Sequence, residues 1–158
     1  MRQKRIIIAG YTYHVTSRTN NKISIFNSKF GQRIILRMIR RAKEKYGFKL
    51  HNICIMPTHI HLLITPGKEI NLSKIVQWVK TMFAKEWNKY HESIDHIWGE
   101  RFFSRPIKDS DDFNNIHDYI DQNPVKAGLV SCPSDWCASG AYFLKRNIEG
   151  IVDKSSFN

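Results

Sequence analysis

Two histidines, His59 and His61, flank one isoleucine inside the apolar run Met56-Pro57-Thr58-His59-Ile60-His61-Leu62-Leu63-Ile64-Thr65. Alternate side chains of a β-strand share a face, so both imidazoles project together while Ile60, Leu62 and Ile64 enter a core on the other side. Imidazoles so placed can share one divalent metal, or simply hydrogen-bond on a half-buried sheet. As a metal pair they leave positions for oxygen donors, which suits Mg²⁺ or Mn²⁺ with water and a phosphate oxygen completing the shell. Asn123 is a candidate carbonyl donor. It lies four residues after Tyr119, so the two share one face of a helix. That face borders the apolar stripe Phe113, Ile116 and Ile120, where a phenol packs its ring and offers its oxygen to a cleft. Boundary tyrosines commonly do no more than pack.

The remaining histidines, His14, His51, His91, His96 and His117, read as structural or solvated, because none has a second ligand at useful spacing. Asp109, Asp111 and Asp112 open the helix that carries Tyr119 and complement its dipole.

The elements that must position these groups follow from pattern. Tyr11 to Arg18 alternates and is rich in β-branched and aromatic residues, a strand, and Asn20-Asn21 follows as a turn. A helix is expected from about Asn27-Ser28 to Tyr46, on the stripe Phe30, Ile34, Ile35, Met38, Ile39, Ala42 and Tyr46, with Gly47 as its stop. Strands over Phe48–Met56 and Thr58–Thr65 form a hairpin about Pro57-Thr58. Asn71 caps a second helix to about Tyr90. A strand over Ile97–Lys108 precedes a third helix, capped by Asp109 or Ser110 and expected to end at Asn123, because Pro124 cannot continue it. The order β-α-β-β-α-β-α predicts an α+β, ferredoxin-like antiparallel sheet with helices packed on it.

Composition bounds the partners. The 158 residues fit one domain, with a core over about 10–145 and a tail over about 146–158. Twenty-five Lys and Arg against 14 Asp and Glu give a net charge of +11. Such a surface favours polyanions, nucleic acid first and an anionic membrane second. No apolar run approaches a membrane span. The basic start Met1–Arg5 is followed by an apolar stretch, Ile6–Ala9, too short for a secretory signal. Cys54, Cys132 and Cys137 form no CxxC pair and are odd in number, so a reducing cytoplasm is expected.

Three blocks occur in order: Tyr13-His14-Val15-Thr16-Ser17-Arg18-Thr19-Asn20-Asn21, the Met-Pro-x-His-x-His-Leu-Leu block at 56–63, and Tyr119-Ile120-x-x-Asn123-Pro124-Val125-x-Ala127-Gly128-Leu129-Val130. Together they resemble the single-tyrosine transposases of the HUH superfamily, most closely the REP-associated tyrosine transposases, over about residues 10–145. The resemblance implies His59 and His61 as metal ligands, Tyr119 as nucleophile and Asn123 as third ligand. Two positions depart from the pattern: Asp121 stands where the REP-associated members often carry His, and Trp136-Cys137-Ala138-Ser139-Gly140-Ala141-Tyr142 alters a late Trp-x-x-Ser-Ser-Tyr element. The implied partner is single-stranded or hairpin DNA, with no membrane role, and the active site could be built within one subunit or across a homodimer.

Basic residues Arg18, Lys22, Arg101, Arg105, Lys108 and Lys126 are the expected phosphate contacts, and Trp98, Phe102 or Phe103 the candidate base-stacking aromatics. Two other functions compete. A non-catalytic nucleic-acid-binding module would explain the charge but not the coexistence of His59, His61, Tyr119 and Asn123. A phosphoesterase using water as nucleophile would release free ends and never trap DNA.

Overall fold

The computed structural model describes residues 7, 8, 10–154 and 157. Residues 1–6 and Ala9, which hold the basic start and part of the apolar stretch after it, lie outside the described residues.

Each element begins and ends where local chemistry dictates. Strand β1 is Tyr13–Arg18, and helix α1 is Lys29–Tyr46. The Ser28 hydroxyl caps α1 by accepting from the Gly31 amide, and Gly47 ends it in the left-handed region at φ 63°, its amide bonding the Lys43 carbonyl. Strands β2, Lys49–Met56, and β3, His59–Thr65, form the Pro57-Thr58 hairpin. Helix α2, Leu72–His91, starts at Asn71, whose side chain accepts from the Ser73 amide. Strand β4 is Phe103–Pro106 and helix α3 is Ser110–Lys126.

All pairings are antiparallel, in the order β2-β3-β1-β4, which is the ferredoxin-like arrangement. Helices α1 and α2 pack on one face. There Val15, Ile53, Ile55, Ile60, Leu62 and Ile64 meet Ile35, Met38, Val79 and Phe83 in the main core. Burying an aliphatic or aromatic side chain of this size contributes about 1.5–3 kcal/mol, so this layer dominates the driving force. The opposite face carries α3 over a smaller cluster: Cys54, Met56, Leu63, Ile107, Phe113 and Ile120. His14, Thr16, His59 and His61 belong to that second face.

Three expectations change. First, α3 runs through Pro124 to Lys126 rather than stopping at Asn123. A proline forfeits its own amide bond and crowds the carbonyl four residues back, but its fixed φ is helical, and the helix here ends two residues later. Pro124 is buried, and the Ala127 and Leu129 amides close the end on the Asn123 and Pro124 carbonyls. Second, the strand expected over 97–108 shrinks to Phe103–Pro106 plus an isolated bridge between Trp98 and Thr19, because Ile97, Trp98 and Phe102 are drawn into the main core. Third, the chain past 145 is not all tail. Ile151 and Val152 are buried, and Asp153 accepts from Lys43 Nζ at 2.7 Å and from the Leu50 amide at 2.8 Å. A short helix absent from the pattern reading, α4 at Gly140–Lys145, lies against β2. A Cβ on Gly140 would collide with Asn52 Oδ1.

A bidentate ion pair fixes α3 to the sheet. Arg105 on β4 donates to both carboxylate oxygens of Asp112, at 2.9 and 2.8 Å. Asp112 also accepts from the Lys108 amide at 3.0 Å. These bonds, Arg105 first and Lys108 second, hold the Asp112 carboxyl down at about 2 from an ordinary 3.8. The pair is partly exposed, so Arg105→Ala should cost about 1 kcal/mol, lowering Tm by roughly 2–4 °C. A depressed carboxylate stabilises the fold above its unfolded value. The difference between parent and variant should therefore persist at neutral pH and vanish as pH falls from about 3.8 through about 2. Thermal melts across that window check it.

Candidate active site

The register of the sheet builds the site. Arg18 lies directly opposite His59, Thr16 opposite His61, and His14 opposite Leu63. Directly paired residues share a face, so β1 and β3 present these groups together beneath α3. The His59 and His61 rings meet edge-on, with centroids 4.9 Å apart.

Both imidazoles are held by one nitrogen. His61 Nδ1 lies 3.0 Å from His14 Nε2 and 3.2 Å from Thr16 Oγ1. His59 Nδ1 lies 3.0 Å from Thr58 Oγ1. With Nδ1–H donating in these bonds, Nε2 of each ring keeps its lone pair. His61 is only 3% exposed, and its buried Nε2 has no hydrogen-bond partner among the described residues. A buried polar atom without a partner costs about 1–3 kcal/mol, a cost that a bound cation removes. Burial is also the largest cause of depressed basicity here. It pushes His61 down to about 3, helped by His59, His14 and Arg18. It pushes His14 to about 4, helped by Arg105, and lowers His59, helped by Arg18. All three are neutral at physiological pH, the state that can ligate a metal. The donor set therefore fits a divalent cation, with His59 and His61 as nitrogen ligands.

Helix α3 brings Tyr119 to the same place. Its ring stands edge-on to His61 and to His14, with centroids at 5.7 and 5.8 Å. The side chain is 40% exposed. Asn123, one turn later, donates Nδ2 to the Tyr119 carbonyl at 2.7 Å. This leaves its Oδ1, the candidate ligand atom, as the acceptor end. Lys126 Nζ sits 5.5 Å from the centre of the Tyr119 ring. The histidine pair and the tyrosine thus meet within one chain.

His14, expected to be structural, belongs to this constellation: it bonds one histidine and touches the tyrosine. Its partner lies 47 residues away, so no local spacing points to it. His14→Phe, which keeps the ring but not the bond, should weaken Mn²⁺ binding about 10- to 100-fold, as measured by titration calorimetry.

The basic residues divide. Arg18, Lys22 and Arg101 line one cavity beside the histidines. Lys108 is exposed at the start of α3, and Lys126 stands over Tyr119. Arg105 departs from the expectation of a phosphate contact, because Asp112 occupies both arms of its guanidinium. Of the candidate stacking residues, Trp98 and Phe102 are core, and only Phe103 offers a free ring.

His117, Asp118 and Asp121 form a second grouping on α3, with ligand atoms within 4.8 Å of one another. His117 Nδ1 pairs with Asp121 at 3.4 Å, which raises its pKa. Asn52 ties Asp121 to β2 at 2.8 Å. This network anchors α3 on the flank away from Tyr119. Among the described residues no helix is long and apolar enough to cross a membrane.

Known proteins share this architecture. The family model described as "Transposase IS200 like" matches residues 8–123. A candidate REP-associated tyrosine transposase of Haemophilus influenzae is 37% identical over 109 residues, covering 61% of each chain. The present chain thus spans less than two thirds of that relative's length. The REP-associated tyrosine transposase of Escherichia coli K12 is 27% identical over 135 residues, 84% of this chain and 78% of its own. Two solved structures share the fold. One is a REP-associated tyrosine transposase bound to a REP hairpin, with TM-score 0.80 and 23% identity, covering 100% of this chain and 94% of that one. The other, a candidate transposase from Deinococcus radiodurans, has TM-score 0.54 and 16% identity, covering 77% and 97%. With a family match running through the first strand, both histidines and the tyrosine helix, this chain belongs to the IS200-like transposases.

Proposed function

We propose that the chain is a metal-dependent DNA transposase that cuts and rejoins single-stranded or hairpin DNA through Tyr119. One observation carries the reading: the Tyr119 ring packs against His61, whose buried Nε2 lacks a partner among the described residues. A strand transferase needs a nucleophile and an electrophilic centre side by side, and a non-catalytic binding module has no use for that pairing.

In this reading the Tyr119 oxygen attacks the scissile phosphorus. The bond to the 3′ oxygen breaks, leaving a 5′-phosphotyrosine and a 3′-OH. The phenol proton is lost to solvent, and the departing 3′ oxygen gains one. A free tyrosine titrates near pH ~10, so the attack needs help. A divalent ion, Mg²⁺ or Mn²⁺, held by His59, His61 and Asn123 would supply Lewis-acid stabilisation of charge on the phosphate oxygens. His14, Thr16 and Thr58 hold the two imidazoles by Nδ1 and so orient both rings. Arg18, opposite His59, and Lys126, over the Tyr119 ring, place positive charge on two sides of the incoming phosphate. The phosphotyrosine bond conserves the phosphodiester energy, so attack by another 3′-OH completes transfer without a nucleotide cofactor.

Hairpin DNA is the favoured substrate because the E. coli and H. influenzae relatives are named for REP association and a structural neighbour is described with a REP hairpin. The test is incubation of hairpin-bearing single strands with Mg²⁺, followed by a denaturing gel. A DNA species shifted by the mass of the chain and abolished by EDTA is expected. Free cleaved ends without an adduct would instead indicate a water nucleophile.

A further inference from the structure

Beside the histidines lies a cavity of about 730 Å³, within the roughly 300–1,000 Å³ range of small-ligand sites. Three cations face it, Arg18, Lys22 and Arg101, against one carboxylate, Glu100. Phe103 forms part of its wall and is 60% exposed. The exposure is notable for its place. Phe103 pairs directly with Thr16, and Thr16 bonds His61, so the phenyl face lies on the site side of the sheet. Its neighbour Phe102 points the other way, into the core. A phenylalanine left bare there gives up about 1.5–3 kcal/mol of burial, an unexpected cost on the floor of a cationic cavity unless a flat apolar group covers it.

Another part of the lining is strained. Asn21 and Lys22 occupy the left-handed region in succession, at φ 48° and 54°. For a lysine this conformation is costly. The turn is held by Asn20 N on the Ile97 carbonyl at 2.8 Å and Thr19 Oγ1 on the Ile23 and Thr58 carbonyls at 2.7 and 3.0 Å. The loop is thus fixed with Lys22, though exposed, in the lining of the cavity.

We propose that this cavity is a nucleobase subsite for the nucleotide flanking the scissile phosphate. The base stacks on Phe103 while Arg18, Lys22 and Arg101 hold the phosphates beside it. Stacking on an aromatic plus backbone charge is how single strands are gripped without base-edge readout. The subsite rests on the strand-transfer reading for its substrate, and the test separates the two. Tyr119→Phe protein, which cannot cut, is titrated by fluorescence anisotropy with a short oligothymidylate and with an abasic deoxyribose-phosphate chain of equal length. Adding Phe103→Ala should weaken the thymidylate about 5- to 100-fold and leave the abasic chain unchanged, and Phe103→Trp should restore the difference. Equal losses on both oligomers, or no loss on either, would overturn the subsite. So would a loss that tracks a change in molecular mass by sedimentation, which would make Phe103 a contact between copies along the open β4 edge. A chain that forms the covalent adduct but binds both oligomers alike keeps the transferase function and loses this subsite. One that discriminates through Phe103 but never forms an adduct does the reverse.

Discussion

Tyr119→Phe should form no covalent DNA adduct, a loss of at least about 10³-fold, while binding the same DNA as tightly as the parent. The substitution removes one oxygen and leaves the ring that touches His14 and His61, so the fold and the stacked site persist. The expected signature is therefore a split: unchanged DNA affinity with absent chemistry. Equal adduct yield from parent and variant would remove Tyr119 from the mechanism.

The second large effect lies on the sheet. His61→Ala deletes the imidazole whose Nε2 has no partner among the described residues, and His59→Ala deletes its edge-on neighbour. Each should lower cleavage by about 10³-fold, near 4 kcal/mol of transition-state stabilisation, and each should abolish Mn²⁺ binding measurable by calorimetry. DNA binding should hold within about twofold, since phosphate grip comes mainly from cations. The two measurements must move together. A variant that loses cleavage but keeps metal affinity would assign the histidine to packing rather than ligation.

Much of this arrangement was legible in the sequence because it is written in local chemistry. Ser28, Gly47 and Asn71 announce helix ends through capping, and the alternation around His59-Ile60-His61 separates a polar face from a core-facing one. The i, i+4 spacing of Tyr119 and Asn123 set them on one helical face. What escaped was non-local. His14 gained its partner only through the β1–β3 register. The commitment of Arg105 depended on how α3 leaves β4, which no periodicity encodes. Helix α4 is six residues long and opens on a glycine, too short for a stripe. The general rule for prolines predicts an end before Pro124, yet the helix runs two residues past it with the proline ring buried. Phe102 and Phe103 had equal claims as stacking residues until strand pairing sent one into the core and left the other bare.

These differences sharpen the site without moving its centre. The sheet supplies a rigid base on which the two imidazoles, the hydroxyls of Thr16 and Thr58 and a third histidine, His14, fix one another. The exposed, helix-borne tyrosine supplies the reactive oxygen. Arg105 and Asp112 pin the start of that helix, and the His117–Asp121–Asn52 network pins its flank. The nucleophile is thus positioned by a helix tied to the sheet at two places rather than by a loop.

The most direct measurement is peptide mapping of the trapped complex. After reaction with hairpin-bearing DNA and Mg²⁺, nuclease trimming and trypsin digestion, the nucleotide mass should reside on the peptide 109–126, in which Tyr119 is the single tyrosine. A nucleotide on any other tyrosine, or cleaved DNA with no modified peptide, would contradict the account.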